Sequence, residues 1–167
     1  VYENPDRPEW GFEPRVTDDG SYLVLQVWQG TDRRNRVYIA PLTDEGPGKI
    51  VPLFDAFDAM YTFVDSEGST FWFITDKDAP RGRVIAVDVS HPEPEHWKTL
   101  VPEGADAIEE VERIGGRFFV TVLHDAYSQI RVLDASGRDL GVVDLPGIGT
   151  VRGFSGRNDD SETFFTF

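Results

Sequence analysis

The chain has 167 residues, 40% of them hydrophobic and 13% aromatic, which is enough for one cored domain and unlike a disordered tract. Its 30 acidic and 16 basic residues leave a net charge of −14, which repels a nucleic-acid backbone, and no cluster of Lys or Arg offsets it. Cysteine is absent, excluding disulfides and thiolate chemistry, and no apolar run approaches the length of a membrane span.

The N-terminal residues Val1-Tyr2-Glu3-Asn4-Pro5 have neither a basic start nor an apolar stretch, so no signal peptide is expected there. The missing initiator Met fits a processed chain or an excised piece. A soluble protein of the cytoplasm or periplasm is expected, with no nucleic-acid or membrane partner.

A β-rich segment at 13–17 comes first. It leads through Asp18-Asp19-Gly20 into a strand beginning Gly20-Ser21-Tyr22-Leu23-Val24-Leu25. Short strands follow at 36–40 and 50–53. The order then repeats: a strand at 61–64, the turn Ser66-Glu67-Gly68, the strand Gly68-Ser69-Thr70-Phe71-Trp72-Phe73, and strands at 83–88 and 97–101. A third round has a strand at 107–114, the turn Ile114-Gly115-Gly116, a strand at 116–121, and strands at 129–134 and 141–145. On charge alone 106–113 could pass as a short helix, but its place in the repeat predicts a first strand. The three turn glycines, Gly20, Gly68 and Gly116, stand 48 residues apart, twice. A fourth round opens at 149–154 and reaches its second strand at 163–167.

Four short strands per repeat predict four-stranded antiparallel meanders. Runs such as 22–27, 70–74 and 118–122 are apolar without alternation, so both faces of each sheet should be covered. Sheets stacked radially supply that covering. The fold expected is all-β, a partial β-propeller of about three and a half blades, at about 12–54, 60–103, 107–146 and an incomplete 149–167. The first and last blades should then expose apolar faces and favour self-association.

Catalytic motifs are not found. The nucleophile elbow Gly-x-Ser-x-Gly is missing, and Gly153-Phe154-Ser155-Gly156 is one residue short of it. His91 and His96 sit five residues apart around two prolines, a solvated loop rather than a metal pair. His124-Asp125 ends a strand with no nucleophile nearby in sequence. Asp76-Lys77-Asp78-Ala79-Pro80-Arg81-Gly82 misses the spacing of a calcium loop and reads as a hairpin connection. Trp28, Trp72, Phe118 and Phe119 are expected in the core. Trp10 precedes the first strand of its blade, near one rim of the channel, and is a candidate for a functional contact.

Several stretches resemble, in order, the propeller of the prolyl oligopeptidase family. They include Pro5-Asp6-Arg7-Pro8-Glu9-Trp10, Gln29-Gly30-Thr31-Asp32, Asn35-Arg36-Val37-Tyr38, Trp97-Lys98-Thr99-Leu100-Val101-Pro102-Glu103 and Leu123-His124-Asp125. The resemblance runs over essentially the whole chain. It implies a seven-bladed parent propeller that covers an α/β-hydrolase domain and admits short peptides, which are cut after proline. No stretch resembles the hydrolase domain, so no catalytic residue is carried over, and no metal or cofactor is implied. Two cavity-facing stretches of the family have counterparts here. One comprises Trp10, Gly11 and Phe12; the other is the loop with Gly30 and Thr31. Some relatives have cysteine where Thr31 stands, which removes thiol-based inhibition at this point. The partners implied are the parent's own catalytic domain and short Pro-containing peptides. A free-standing scaffold that binds a protein or ligand is the alternative.

Overall fold

The first hairpin shows how the repeat is made. Gly20 has φ +73°, a conformation side chains rarely adopt, and its amide donates to the Thr17 carbonyl at 2.8 Å. The Asp19 carboxylate accepts from the Thr17 hydroxyl at 2.6 Å and the Ser21 amide at 3.0 Å, which fixes the turn. Gly68 and Gly116, at φ +57° and +74°, stand at the corresponding turns.

In a computed structural model, which describes residues 4–167, these hairpins belong to four sheets. Val1, Tyr2 and Glu3, part of the segment read for a signal sequence, lie outside the described residues. The first blade holds β1 (Trp10–Val16), β2 (Tyr22–Gln29), β3 (Asn35–Thr43), a two-residue β4 (Gly46–Pro47) and β5 (Val51–Phe54). Both β4 and β5 pair with β3. The second runs β6 (Tyr61–Glu67), β7 (Thr70–Thr75), β8 (Arg83–Asp88) and β9 (Lys98–Val101), with a 3-10 turn at Pro94–His96. The third runs β10 (Ala107–Ile114), β11 (Arg117–His124), β12 (Tyr127–Leu133) and β13 (Asp139–Val142). A fourth sheet has two strands, β14 (Arg152–Ser155) and β15 (Phe164–Thr166). Every pairing is antiparallel.

Two positions depart from the sequence reading. Trp10 does not precede the first strand; it begins β1, paired with Gln29. The last strand of the third blade lies earlier than 141–145, at Asp139–Val142, where Asp139 pairs with Leu133 and Val142 with Arg131; the Arg131 guanidinium also reaches Asp139 at 2.7 Å. Leu145 instead packs, with Val143, beside Ile130 and Phe154.

The core is a series of layers between successive sheets. Val24, Val37 and Ile39 of the first blade meet Phe71, Phe73 and Val87 of the second. The second blade's Trp72, Ile74 and Val84 meet Phe118, Val120 and Leu133 of the third. Phe71, Phe73 and Phe118 are fully buried, and each contributes about 1.5–3 kcal/mol of transfer free energy. Adjacent residues of one strand thus face different layers, which explains the continuous apolar runs. The first strands converge: β6 lies against β10, and β10 against β14. They form the inner edge of the stack.

Candidate functional site

Antiparallel pairing of β1 with β2 sets Trp10 opposite Gln29, Gly11 opposite Trp28 and Phe12 opposite Val27. The two stretches singled out in the sequence therefore meet at one end of the first blade. The loop 29–32 bends at Gly30, φ +57°, and exposes Thr31. Asp32 shapes it by accepting from the Arg34 amide at 2.9 Å and pairing with the Arg34 guanidinium at 2.6 Å. Those hydrogen bonds from Arg34 hold the Asp32 carboxyl down to about 2.

The five candidates divide by face. Trp10 and Phe12 pack with Leu25, Val27 and Tyr38 on one side of the sheet. The Trp10 ring meets Phe57 edge-on at 5.5 Å, and the Arg36 guanidinium lies 4.7 Å from both ring centres. Arg36 is itself tied to Asp55 at 2.8 Å. Trp10 is thus part of a packed stack. Gly11 faces the other way, and Gly30 and Thr31 form an exposed tip.

Trp28 corrects the expectation of a core position, since it is 38% exposed. Its indole lies directly over Gly11, and any side chain at Gly11 would overlap the ring. The sequence signal was available: a glycine in a strand often marks a close approach.

Beside Trp28, on the face turned toward the second blade, lies an open cleft of about 530 Å³. Glu13 and Arg15 of β1, Gln26 and Trp28 of β2, Arg33, and Met60 just before β6 contribute to its wall. Its floor is closed by Asn35. The Asn35 side-chain oxygen accepts from the Tyr61 amide at 2.6 Å, and its nitrogen donates to the Tyr61 carbonyl at 2.9 Å. Arg15 spans the opening, donating to the Phe63 carbonyl at 3.3 Å, with its guanidinium 5.3 Å from the Phe63 ring centre.

The junction of the second and third blades is closed instead. Arg113 is buried, bonded to Asp65 at 3.1 Å and to Glu67, with its guanidinium 4.6 Å from the Trp72 ring. Burial pushes the Asp65 carboxyl up, against the pull of Arg113. Glu112, next along β10, is raised to about 7 by burial and then by the Glu110 charge, while Arg15 draws it down.

The remaining titratable groups have local work. His124 Nδ1 lies 2.9 Å from Asp106, which raises the imidazole above its ordinary value. Asp125 and Ala126 turn the chain there with φ +44° and +68°. The Asp76 carboxylate accepts from the Met60 amide at 2.7 Å. His91 and His96 meet edge-to-face at 5.8 Å, and His96 lies 3.2 Å from Glu93.

The architecture has known counterparts. The family model described as the prolyl oligopeptidase N-terminal β-propeller domain matches residues 1–167. The chain is 34% identical over 152 residues to a prolyl endopeptidase of Elizabethkingia miricola and 32% to that of Elizabethkingia meningoseptica. Each match covers 91% of this chain and 21% of the relative, so the chain spans about a fifth of their length. A structure from a study of inter-domain dynamics in two prolyl endopeptidases superposes with a TM-score of 0.91 at 36% identity, covering 99% of this chain and 24% of that one. The prolyl oligopeptidase B of Galerina marginata shares the fold, with a TM-score of 0.89 at 22% identity over 99% of this chain and 24% of that one.

Proposed function

The chain belongs to the prolyl oligopeptidase family, as a portion of its N-terminal β-propeller, and on that premise we propose that it is the substrate-gating part of a serine endopeptidase that cleaves short peptides after proline. Bond-breaking chemistry then belongs to an α/β-hydrolase domain of the same protein. The propeller acts by steric exclusion: a narrow channel passes an extended peptide and turns away a folded one.

The observation that carries this reading is the open stack itself. A five-stranded blade, two four-stranded blades and a two-stranded start stack in order, with β6, β10 and β14 against one another, and the end blades keep apolar groups in solvent. Phe164 is 80% exposed and Ile148 85%, on the two-stranded sheet and its approach; Val16, on the first blade, is 52% exposed. Neighbouring blades of a larger ring would cover such groups, as the seven-bladed parent of the resemblance would. Self-association is the competing way to cover them. In this reading Trp10, Gly11, Phe12, Gly30 and Thr31 stand at the end of the channel that opens toward the catalytic domain.

Hydrolysis of a fluorogenic Pro-containing peptide tests the proposal. The whole protein should cleave it and lose activity to a serine-directed phosphonate or fluorophosphate. The chain alone should not cleave it. Turnover by the chain alone, or none by the whole protein, overturns the reading.

A further inference from the structure

The cleft between the first two blades has a charge pattern that the packing does not explain. Acidic residues outnumber basic ones 30 to 16, and Arg34, Arg36, Arg113, Arg131, Arg138 and Arg157 each pair with a carboxylate. Arg15 and Arg33 form no ion pair among the described residues, a property shared with Arg7, Arg81, Arg83, Arg117 and Arg152, but these two stand together on one cleft wall. Arg15 reaches a backbone carbonyl, and Arg33 reaches the Met60 sulfur at 3.9 Å. Each guanidinium offers five donors in a planar fork matched to a carboxylate, so most of their capacity is unused.

Beside them Trp28 presents an indole seated on Gly11. The bare Gly11 backbone is what lets the ring seat directly on the strand. The volume, about 530 Å³, takes two or three residues of an extended peptide. Among the described residues the only acidic side chain on the wall is Glu13.

We propose that this cleft is a binding site for an acidic residue of a peptide, whose carboxylate is taken by Arg15 and Arg33 while a neighbouring aromatic or prolyl ring stacks on Trp28. The proposal rests on the gating reading above. It adds a preference for peptides carrying Asp or Glu, exerted inside the channel wall on a molecule whose net charge repels them overall.

Titration of the whole protein tests this without turnover. Three proline-free, capped hexapeptides identical but for Asp, Ala or Lys beside a Tyr would be followed by calorimetry and by tryptophan fluorescence. The Asp peptide should bind most tightly. Arg15→Ala and Arg33→Ala should each weaken it by roughly threefold, as half-exposed ion pairs do. The Lys replacements should restore part of the loss. Should an alanine variant fail to fold, Glu13→Gln supplies a second measure, because removing a carboxylate from the wall should tighten the Asp peptide. Equal affinity for all three peptides, or preference for Lys, overturns the proposal. Failure of the whole protein to cleave after proline overturns the gating reading and leaves this titration able to decide by itself.

Discussion

Arg113, between the second and third blades, is 4% exposed along its side chain and locked to Asp65 and Glu67, whereas Arg15, between the first and second, stands exposed at a cleft. The two junctions come from one repeat. Three residues before each turn glycine the chain has Thr17, Asp65 and Arg113 in successive blades. Where Asp65 meets Arg113, the guanidinium fills the gap over Trp72 and the blades shut. Thr17 instead turns its hydroxyl into its own hairpin, accepting from the Tyr22 amide at 3.0 Å, and among the described residues makes no hydrogen bond across. The repeat thus sets the backbone, and the side chains at this one position leave one junction bridged by an ion pair and the other without that bridge.

Breaking the sealed junction should have the largest effect. Arg113→Met leaves Asp65 buried with its charge uncompensated and should destabilise the chain by about 3–5 kcal/mol in urea unfolding. The double variant Arg113→Met with Asp65→Leu should recover most of that, because the desolvation of both charges disappears together. A double variant no better than the single one would mean that guanidinium packing on Trp72, rather than charge pairing, holds the blades.

Beyond its apolar layer, the open junction is tied by the Asn35 side chain, and removing that tie should come second. Asn35→Ala strips partners from both the amide and the carbonyl of Tyr61, a residue that is 2% exposed. A loss of about 2 kcal/mol is expected, with accelerated amide exchange confined to the start of β6. A loss below 0.5 kcal/mol would show that the cleft floor is held by apolar packing alone.

The sealed junction was more legible in the sequence than the open one. Turn glycines at a fixed spacing and unbroken apolar runs such as Phe71-Trp72-Phe73 report the local backbone and its burial on both faces, so the blades could be read directly. Trp28 carries the same local signal, a tryptophan in a β-rich run, yet it lies in the open. Its exposure depends on what β6 places opposite, a contact between residues far apart in sequence. Trp10 stands out by its place in the repeat, and Gly11, Phe12, Gly30 and Thr31 through resemblance; their adjacency follows from strand register, which single-sequence patterning does not fix. The cleft and its unpaired arginines left no mark in sequence, because an arginine's partner is a matter of tertiary geometry.

Acidity separates the two junctions further. Glu112, beside Arg113 on β10, is raised to about 7 from 4.5, so the folded chain holds a proton that the unfolded chain has released. Its ionised form is disfavoured by burial, and stability should fall as pH rises from 4.5 through about 7. Glu112→Gln should therefore raise the melting temperature by about 2–4 °C at pH 8 and leave it unchanged at pH 4. An equal gain at both pH values would assign the effect to packing.

Arg15→Ala should have the smallest effect on stability, under about 0.5 kcal/mol, as for an exposed side chain outside any buried network. The small loss should still depend on pH, because the Arg15 charge draws Glu112 toward its ionised form. At pH 4 the carboxyl is neutral and the substitution should be almost silent; at pH 8 it withdraws a favourable charge from an ionised group and should show. Urea midpoints at the two pH values measure this. A loss comparable to that of Arg113→Met would mean that Arg15 braces the first two blades as Arg113 braces the next pair. The cleft would then be a gap held open by a structural strut, and its unpaired guanidinium would have no claim on a ligand.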